Sequence, residues 1–161
     1  MQEIKRTTIL FPIIRDEQRS ITQVWLAMKK RGFGVNKWNG VGGKLAGAET
    51  FEEAAIREAK EEIGIDILNL SKYAEISFKF ENGLQIFSEV FLSDSWSNDP
   101  AESEEMMPKL YDIQNIPYDQ MWGDDKKWLP LVLNFEKLQA SFEFDLEDNI
   151  IKREIVKIKE F

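Results

Sequence analysis

The 161-residue sequence predicts an α/β or α+β fold, in which a mixed sheet encloses two helices. Three observations carry that expectation. Runs rich in β-branched and aromatic residues recur along the chain. The segment Thr50–Ile63 has helical spacing with a signal at each end, and a second helical stretch precedes two closing strands. The length argues for one domain over residues 1–161, since domains usually hold about 100–200 residues.

Taken in order, Thr7–Ile14 is apolar and β-branched and reads as a buried strand. Arg15–Ser20 is a polar turn and Ile21–Met28 a second strand. Lys29–Gly43 is glycine-rich and predicts a loop with unusual backbone angles. Tyr73–Phe80 alternates polar and apolar residues, and Leu84–Leu92 follows the Glu81-Asn82-Gly83 turn, so the two predict a hairpin. Ser93–Met107 reads as an acidic loop and Lys109–Ile113 as a short strand. Lys127–Leu138 predicts a second helix with Pro130 in its first turn. Phe142–Phe144 and Ile150–Ile158 read as closing strands.

Composition narrows the chemistry. With 29 Asp and Glu against 21 Lys and Arg, the net charge is -8. That balance counts against binding a nucleic-acid polymer, which depends on clustered cations. The chain has no Cys and no His. Thiolate nucleophiles, cysteine zinc sites and the commonest general base are therefore absent. Any metal must be held by oxygen, which suits Mg²⁺, Ca²⁺ or Mn²⁺. The apolar stretch Ile9–Ile14 is too short for a signal-peptide core, and no stretch approaches the roughly 20 apolar residues of a membrane span. The expectation is a soluble cytoplasmic protein.

Thr50-Phe51-Glu52-Glu53 fits a capping box, and Gly64 a left-handed stop. Between them, Glu58, Glu61 and Glu62 stand at i, i+3 and i+4, within an arc of about 100°. Ile56, Ala59 and Ile63 occupy the adjoining arc and are expected to face a core. Arg57 is four residues from both Glu53 and Glu61. Three carboxylates on one face repel one another, and a hard divalent cation is the natural compensation. By themselves they fit a solvated helix face better.

The spacing around them changes that balance. Gly43, Glu49, Arg57-Glu58, Glu61-Glu62 and Gly64 form the pattern Gx5Ex7RExxEExG. Seven fixed residues at roughly 7% usage each give a chance occurrence on the order of one in a million. This pattern resembles the signature of the Nudix hydrolases. The resemblance implies an α/β/α sandwich with a mixed central sheet and its catalytic helix at about 50–63. It implies hydrolysis of a diphosphate linked to another group, with Glu58, Glu61 and Glu62 holding Mg²⁺, for which Mn²⁺ can substitute. The Gly42 carbonyl would assist, Arg57 would orient a glutamate, and Glu49 would brace the site or stand near the metal.

Four further segments resemble the MutT-homologue branch, which hydrolyses 8-oxo-dGTP and 2-hydroxy-dATP to monophosphate and pyrophosphate. They are Lys29-Lys-Arg-Gly-Phe33-Gly, Trp38-Asn39-Gly-Val-Gly-Gly-Lys44, Glu102-Ser-Glu-Glu105-Met106 and Met121-Trp122-Gly-Asp124-Asp125. The likeness runs from about Thr8 to Ile158. It implies that Asn39, Asp124 and Asp125 read a purine edge, the two aspartates sharing a proton. Trp122 would supply a stacking face, and Phe33, Phe78 and Phe80 apolar walls. Thr8 and Lys29 would line the same pocket, Lys44 would meet phosphates, and Glu105 would approach the metal or act as base, as Glu62 also could. The partner is then a small nucleotide, met by a monomer, with no nucleic-acid polymer and no membrane.

Each residue also has a plainer reading. Asp124-Asp125 suits a helix cap, Phe78 and Phe80 suit core packing, Lys29-Lys30-Arg31 a solvated loop and Asn39 a left-handed turn. Trp128 is assigned to the core. Ala48, Val41, Ala59 and Ile86 depart from the branch's usual residues. Two other functions remain open: a Nudix pyrophosphatase for a different substrate, such as dihydroneopterin triphosphate, a dinucleoside polyphosphate or a sugar nucleotide, and a binder that does not cleave.

Overall fold

Strand β1 (Ile4–Arg15) pairs twice, and this double pairing positions the functional site. Its Ile4–Pro12 stretch runs parallel to β6 (Gln85–Ser93), whereas Ile13–Arg15 runs antiparallel to β2 (Ile21–Lys29). The computed structural model describes residues 3–161. Between β2 and β6 come β3 (Trp38–Asn39), α1 (Phe51–Ile63), β4 (Asp66–Ile67) and β5 (Ser71–Phe80). After β6 follow β7 (Trp96–Ser97), β8 (Met106–Asp112), α2 (Asp125–Val132), β9 (Lys137–Phe144) and β10 (Ile150–Ile158). The main sheet has the order β10-β9-β5-β6-β1-β2-β3, with β8 on the far side of β2.

Because β1 and β2 pair only at one end, Thr7–Ile9 of β1 and Ala27–Lys29 of β2 diverge. The 39–44 loop fills part of the opening, bridging Leu10 to Val41 and Thr7 to Lys44. Neighbouring residues on a strand face opposite sides. Leu10 accordingly packs with Ala55, Ala59 and Ile63 of α1, while Phe11 packs with Trp128, Leu129 and Val132 of α2. One helix covers each face, giving the expected α/β/α sandwich. Trp128 is fully buried, its ring 6.1 Å from Phe11 in an edge contact.

The structure corrects three local expectations. The second helix is Asp125–Val132 rather than Lys127–Leu138, with Pro130 inside it and not in its first turn. Pro130 is exposed beside an exposed Lys126, so the carbonyl it leaves unbonded faces solvent. Leu138 is needed in the sheet, where it pairs with Ala74 and is fully buried. Ile56 is 41% exposed; Ala55, Ala59, Glu62 and Ile63 form the buried stripe at i, i+4, i+7 and i+8. The 93–107 loop contains β7, which pairs with β4. Among the described residues, no helix is long and apolar enough to cross a membrane.

Candidate active site

Helix α1 starts and stops where its end signals predict. The Glu53 N–H donates to Thr50 Oγ1 at 3.1 Å, and the Thr50 N–H to Glu53 Oε1 at 3.0 Å. Gly64 stops the helix at φ 74°, its N–H bonded to the Lys60 carbonyl. These caps fix the turn that carries the acidic residues. Arg57 spreads over three of them. Its Nε donates to Glu49 Oε2 at 2.7 Å and Nη2 to Oε1 at 2.9 Å, a two-pronged grip. Nη1 reaches Glu58 at 3.0 Å and Glu61 at 3.1 Å. Hydrogen bonding to Glu49 and then Glu58 holds the guanidinium protonated, above its ordinary range. Glu49 is the brace here, and its carboxyl is held below the usual range by the same bonds.

Glu62 is the exceptional carboxylate, being 5% exposed in the apolar stripe of α1. Burial, then hydrogen bonding and repulsion from Glu58, push it up to about 9. The Gly42 N–H, 3.3 Å from Glu62 Oε2, and the Lys29 charge pull the other way without prevailing. Glu58 also presses on the glycine loop: a Cβ on Gly43 would lie 2.6 Å from its Oε1. At Gly42, a Cβ would lie 1.9 Å from the Thr8 backbone oxygen, which no rotamer change relieves. Gly42→Ala is therefore expected to cost at least about 2 kcal/mol, read from chemical denaturation. A stability equal to wild type would show that the loop is looser than this contact implies.

Two contacting carboxylates, one of them buried against its charge, with no His or Cys nearby, fit a hard divalent cation. Glu58 and Glu62 would supply the donors; Glu61 points to Arg57 with its side chain 57% exposed. Among the described residues, no three acidic side chains are gathered closely enough to hold one ion.

The shift has a thermodynamic sign. A carboxylate raised in the folded state keeps its proton where the unfolded chain has lost it, so its contribution is full at low pH and is lost as pH rises through the folded value. For Glu62 that window runs from the ordinary carboxylate range to about 9. Without divalent metal, the melting temperature should fall by at least about 4 °C between pH 6 and 9. Added Mg²⁺ should offset this fall. A metal-independent, flat melting profile would contradict the assignment.

The main pocket opens where β1 and β2 diverge. It is lined by Thr8, Lys29, Phe33, Asn39, Phe78, Phe80, Trp122, Asp124 and Asp125, together with Gly42 and Gly43. Asp124 and Asp125 are each 2% exposed. Asp124 makes no capping hydrogen bond to α2; its Oδ2 instead accepts from Trp128 Nε1 at 2.7 Å. Asp125 Oδ2 is buried without a partner. Burial pushes Asp124 up to about 6, and burial plus the Asp124 charge hold Asp125 well above its ordinary value. Both shifts favour a proton held between the two carboxyls.

Aromatic side chains form the walls. Phe80 stacks on Phe144 at 5.0 Å, and Phe78 on Phe142 at 6.2 Å, so both support the core while lining the pocket. Phe33 is 54% exposed and lies 5.1 Å from the Trp122 ring at the mouth. Asn39 sits in β3 opposite Ala27, its Oδ1 accepting from the Gly40 N–H at 2.8 Å. Asn36, rather than Asn39, takes the left-handed conformation, at φ 66°.

Of the predicted residues outside α1, two lie away from the pocket lining. Lys44 is exposed, with its carbonyl bonded to Arg57 at 3.2 Å. Glu105 is turned to Arg31 at 3.3 Å, while its neighbour Met106 lines the pocket from the start of β8. Lys30 pairs with Glu102 on the same outer loop. Thr7, Lys37, Ser88 and Phe144 line the pocket without having been foreseen. Phe144 was readable from its alternation with Phe142; the others required the strand register.

Residues 4–132 match the NUDIX domain family. The chain is 41% identical over 139 residues to the zebrafish (Danio rerio) protein named oxidized purine nucleoside triphosphate hydrolase, covering 86% of this chain and 89% of that one. It is 39% identical over 140 residues to the mouse (Mus musculus) protein of the same name, covering 86% and 90%. A crystal structure of a MutT protein from Bacillus halodurans shares the fold with a TM-score of 0.78 at 21% identity, covering 94% of this chain and 97% of that one. Matched over most of its length and carrying the full glutamate motif on a capped helix, this chain belongs to the Nudix family.

Proposed function

We propose that the protein hydrolyses oxidised purine nucleoside triphosphates, such as 8-oxo-dGTP and 2-hydroxy-dATP, to the monophosphate and pyrophosphate. One observation carries this reading: the buried, proton-retaining Asp124–Asp125 pair lies in an aromatic pocket that also reaches Gly42 and Gly43, beside Glu58 and Glu62. An unmodified purine and its oxidised form differ in which edge atoms carry hydrogen. A pocket offering one acid and one carboxylate can distinguish them. The names of the zebrafish and mouse relatives support the same substrate class.

In this reading Mg²⁺, replaceable by Mn²⁺, would be held by Glu58 and Glu62 with the Gly42 carbonyl, and Glu61 and Glu105 would have to turn from Arg57 and Arg31 to join them. When bound it supplies Lewis acidity toward a phosphoryl oxygen and lowers the pKa of an attacking water. Glu62 would accept a proton from the attacking water once the cation has displaced the one that burial retains on it. Glu105 is the less favoured base because Arg31 holds it outside the pocket. Arg57 fixes the Glu58 carboxylate, Lys29 and Lys44 meet the phosphates, Trp122 stacks on the base, and Asn39 reads its edge with the aspartates. All these groups come from one chain, so a monomer suffices.

The test is steady-state release of pyrophosphate from 8-oxo-dGTP, 2-hydroxy-dATP and dGTP in the presence of Mg²⁺. Preferential turnover of the oxidised substrates is expected. Equal turnover of dGTP, or no turnover at all, would overturn the proposal.

A further inference from the structure

Trp128 belongs to the core on the α2 side of the sheet, yet the polar edge of its ring meets the base-reading aspartates. The ring is fully buried, and its Nε1–H donates to Asp124 Oδ2 at 2.7 Å. The two residues are four apart, and Asp124 already has helical backbone angles (φ -76°, ψ -26°), so the first turn of α2 brings them together. Phe11 of β1 packs against the ring in an edge contact and holds it there. Trp128 is not among the residues that line the pocket, so any influence on a bound base passes through Asp124.

The two aspartates are served unequally. An aspartate preceding a helix ordinarily bonds the free backbone N–H groups, but Asp124 makes no such bond and gives its oxygen to the indole. Asp125 Oδ2, equally buried, has no donor at all. An indole N–H can only donate, and a charged carboxylate accepts such a bond about twice as strongly as a neutral group does. The bond therefore favours the charge on Asp124. The missing donor at Asp125 favours the proton there.

The other groups around the pair leave this order standing. The Lys37 charge and a Trp122 backbone group favour an ionised Asp125, but burial and the Asp124 charge outweigh them. Tyr118 lies near enough for the Asp125 charge to raise its own pKa, to about 12, so it stays neutral.

We propose that Trp128 is a positioning residue for base recognition: its Nε1–H fixes Asp124 as the acceptor of the pair and leaves Asp125 as the donor. The base edge must then present an N–H to Asp124 and a lone pair to Asp125. This rests on the function proposed above and deepens it by assigning each carboxyl its part.

The experiment is a double-variant cycle on W128F and D124N, read by KM and kcat for 8-oxo-dGTP and by ¹³C NMR of the aspartate carboxyls. W128F keeps an aromatic ring and removes the N–H. It should raise KM by about 10-fold with kcat within about 3-fold, and move the ionisation of Asp124 up by about one pH unit from its position at about 6. In the D124N background no charge remains to be placed, so W128F should change KM by less than about 2-fold. Additive effects of the two variants, or an unmoved Asp124 ionisation in folded W128F, would overturn the proposal. If W128F does not fold, wild type decides: the Trp128 indole N–H resonance should shift with pH in step with the Asp124 carboxyl, and a resonance that stays fixed through that titration refutes it. Should wild type hydrolyse no oxidised triphosphate, the proposed function fails. The NMR titrations, which need no substrate, then judge the placement of the charge by the same two outcomes.

Discussion

Glu62→Gln is expected to lower kcat by about 10²- to 10⁴-fold while nucleotide binding stays measurable. Glu62 is the one glutamate of the motif that is nearly excluded from solvent, and burial beside Glu58 pushes it up to about 9. Glutamine keeps the shape and the acceptor oxygen that faces the Gly42 N–H. It removes only the ability to take a proton and to balance a cation. The same change should stabilise the metal-free protein at pH 9, because the buried site no longer has to ionise. Loss of turnover together with alkaline stabilisation is the expected pair of results. Turnover near wild type would show that the base lies elsewhere, with Glu105 the next to test.

The second large effect is at the aspartate pair. Asp124→Ala and Asp125→Asn should each raise KM for 8-oxo-dGTP by about 10- to 100-fold, the usual worth of a base-edge contact, with a smaller change in kcat. The surroundings of the pair bear on its pH response: Trp128 Nε1 bonds Asp124, a Trp122 backbone group and the Lys37 charge act on Asp125, and Tyr118 lies close enough for the Asp125 charge to raise its own pKa. Burial raises Asp124 to about 6 and Asp125 well above its ordinary value, so the pair gives up its proton at higher pH than exposed carboxylates do. Base recognition by wild type should therefore weaken as pH rises. In Asp125→Asn, where the amide donor cannot titrate, that limb should flatten. An unchanged KM in both variants would leave the pair as packing for the start of α2.

The site was legible in the sequence to the extent that chemistry sits close together along the chain. The capping box and the glycine stop are local and stand where they are expected, whereas of the three glutamates Glu62 turns into the buried stripe and Glu61 out to Arg57. Arg57 is a partial case: its contact with Glu61 is the expected i to i+4 pair, but Glu53 is taken by the cap and Arg57 turns to Glu49. Ile56 shows the limit of a helical wheel. The wheel gives the angle between residues, but which arc faces inward depends on where the sheet lies, and the inward arc includes Glu62 in place of Ile56.

The length of α2 illustrates a different competition. Lys127–Leu138 contains enough apolar residues for a longer helix, but Leu138 is claimed by the sheet beside Ala74. Local propensity is a weak prior against a long-range pairing that buries a whole side chain. Most of the long strands, bounded by turn residues and marked by alternation, fall near their expected limits, but β9 begins at Lys137 rather than Phe142 and the short β3, β4 and β7 carried no such mark.

What the amino-acid order settles here is the identity of the chemistry. Oxygen donors without His or Cys, glutamates spaced i, i+3 and i+4 on a capped helix and an adjacent aspartate pair are facts of neighbouring residues. The fold decides which of those groups become unusual. Glu62 and Asp125 are ordinary carboxylates until the fold strips water from them. Thr7 meets Ser88 only because β1 lies parallel to β6 in one register. Desolvation and strand register depend on residues far apart in the chain, so neither can be computed from any short stretch of it.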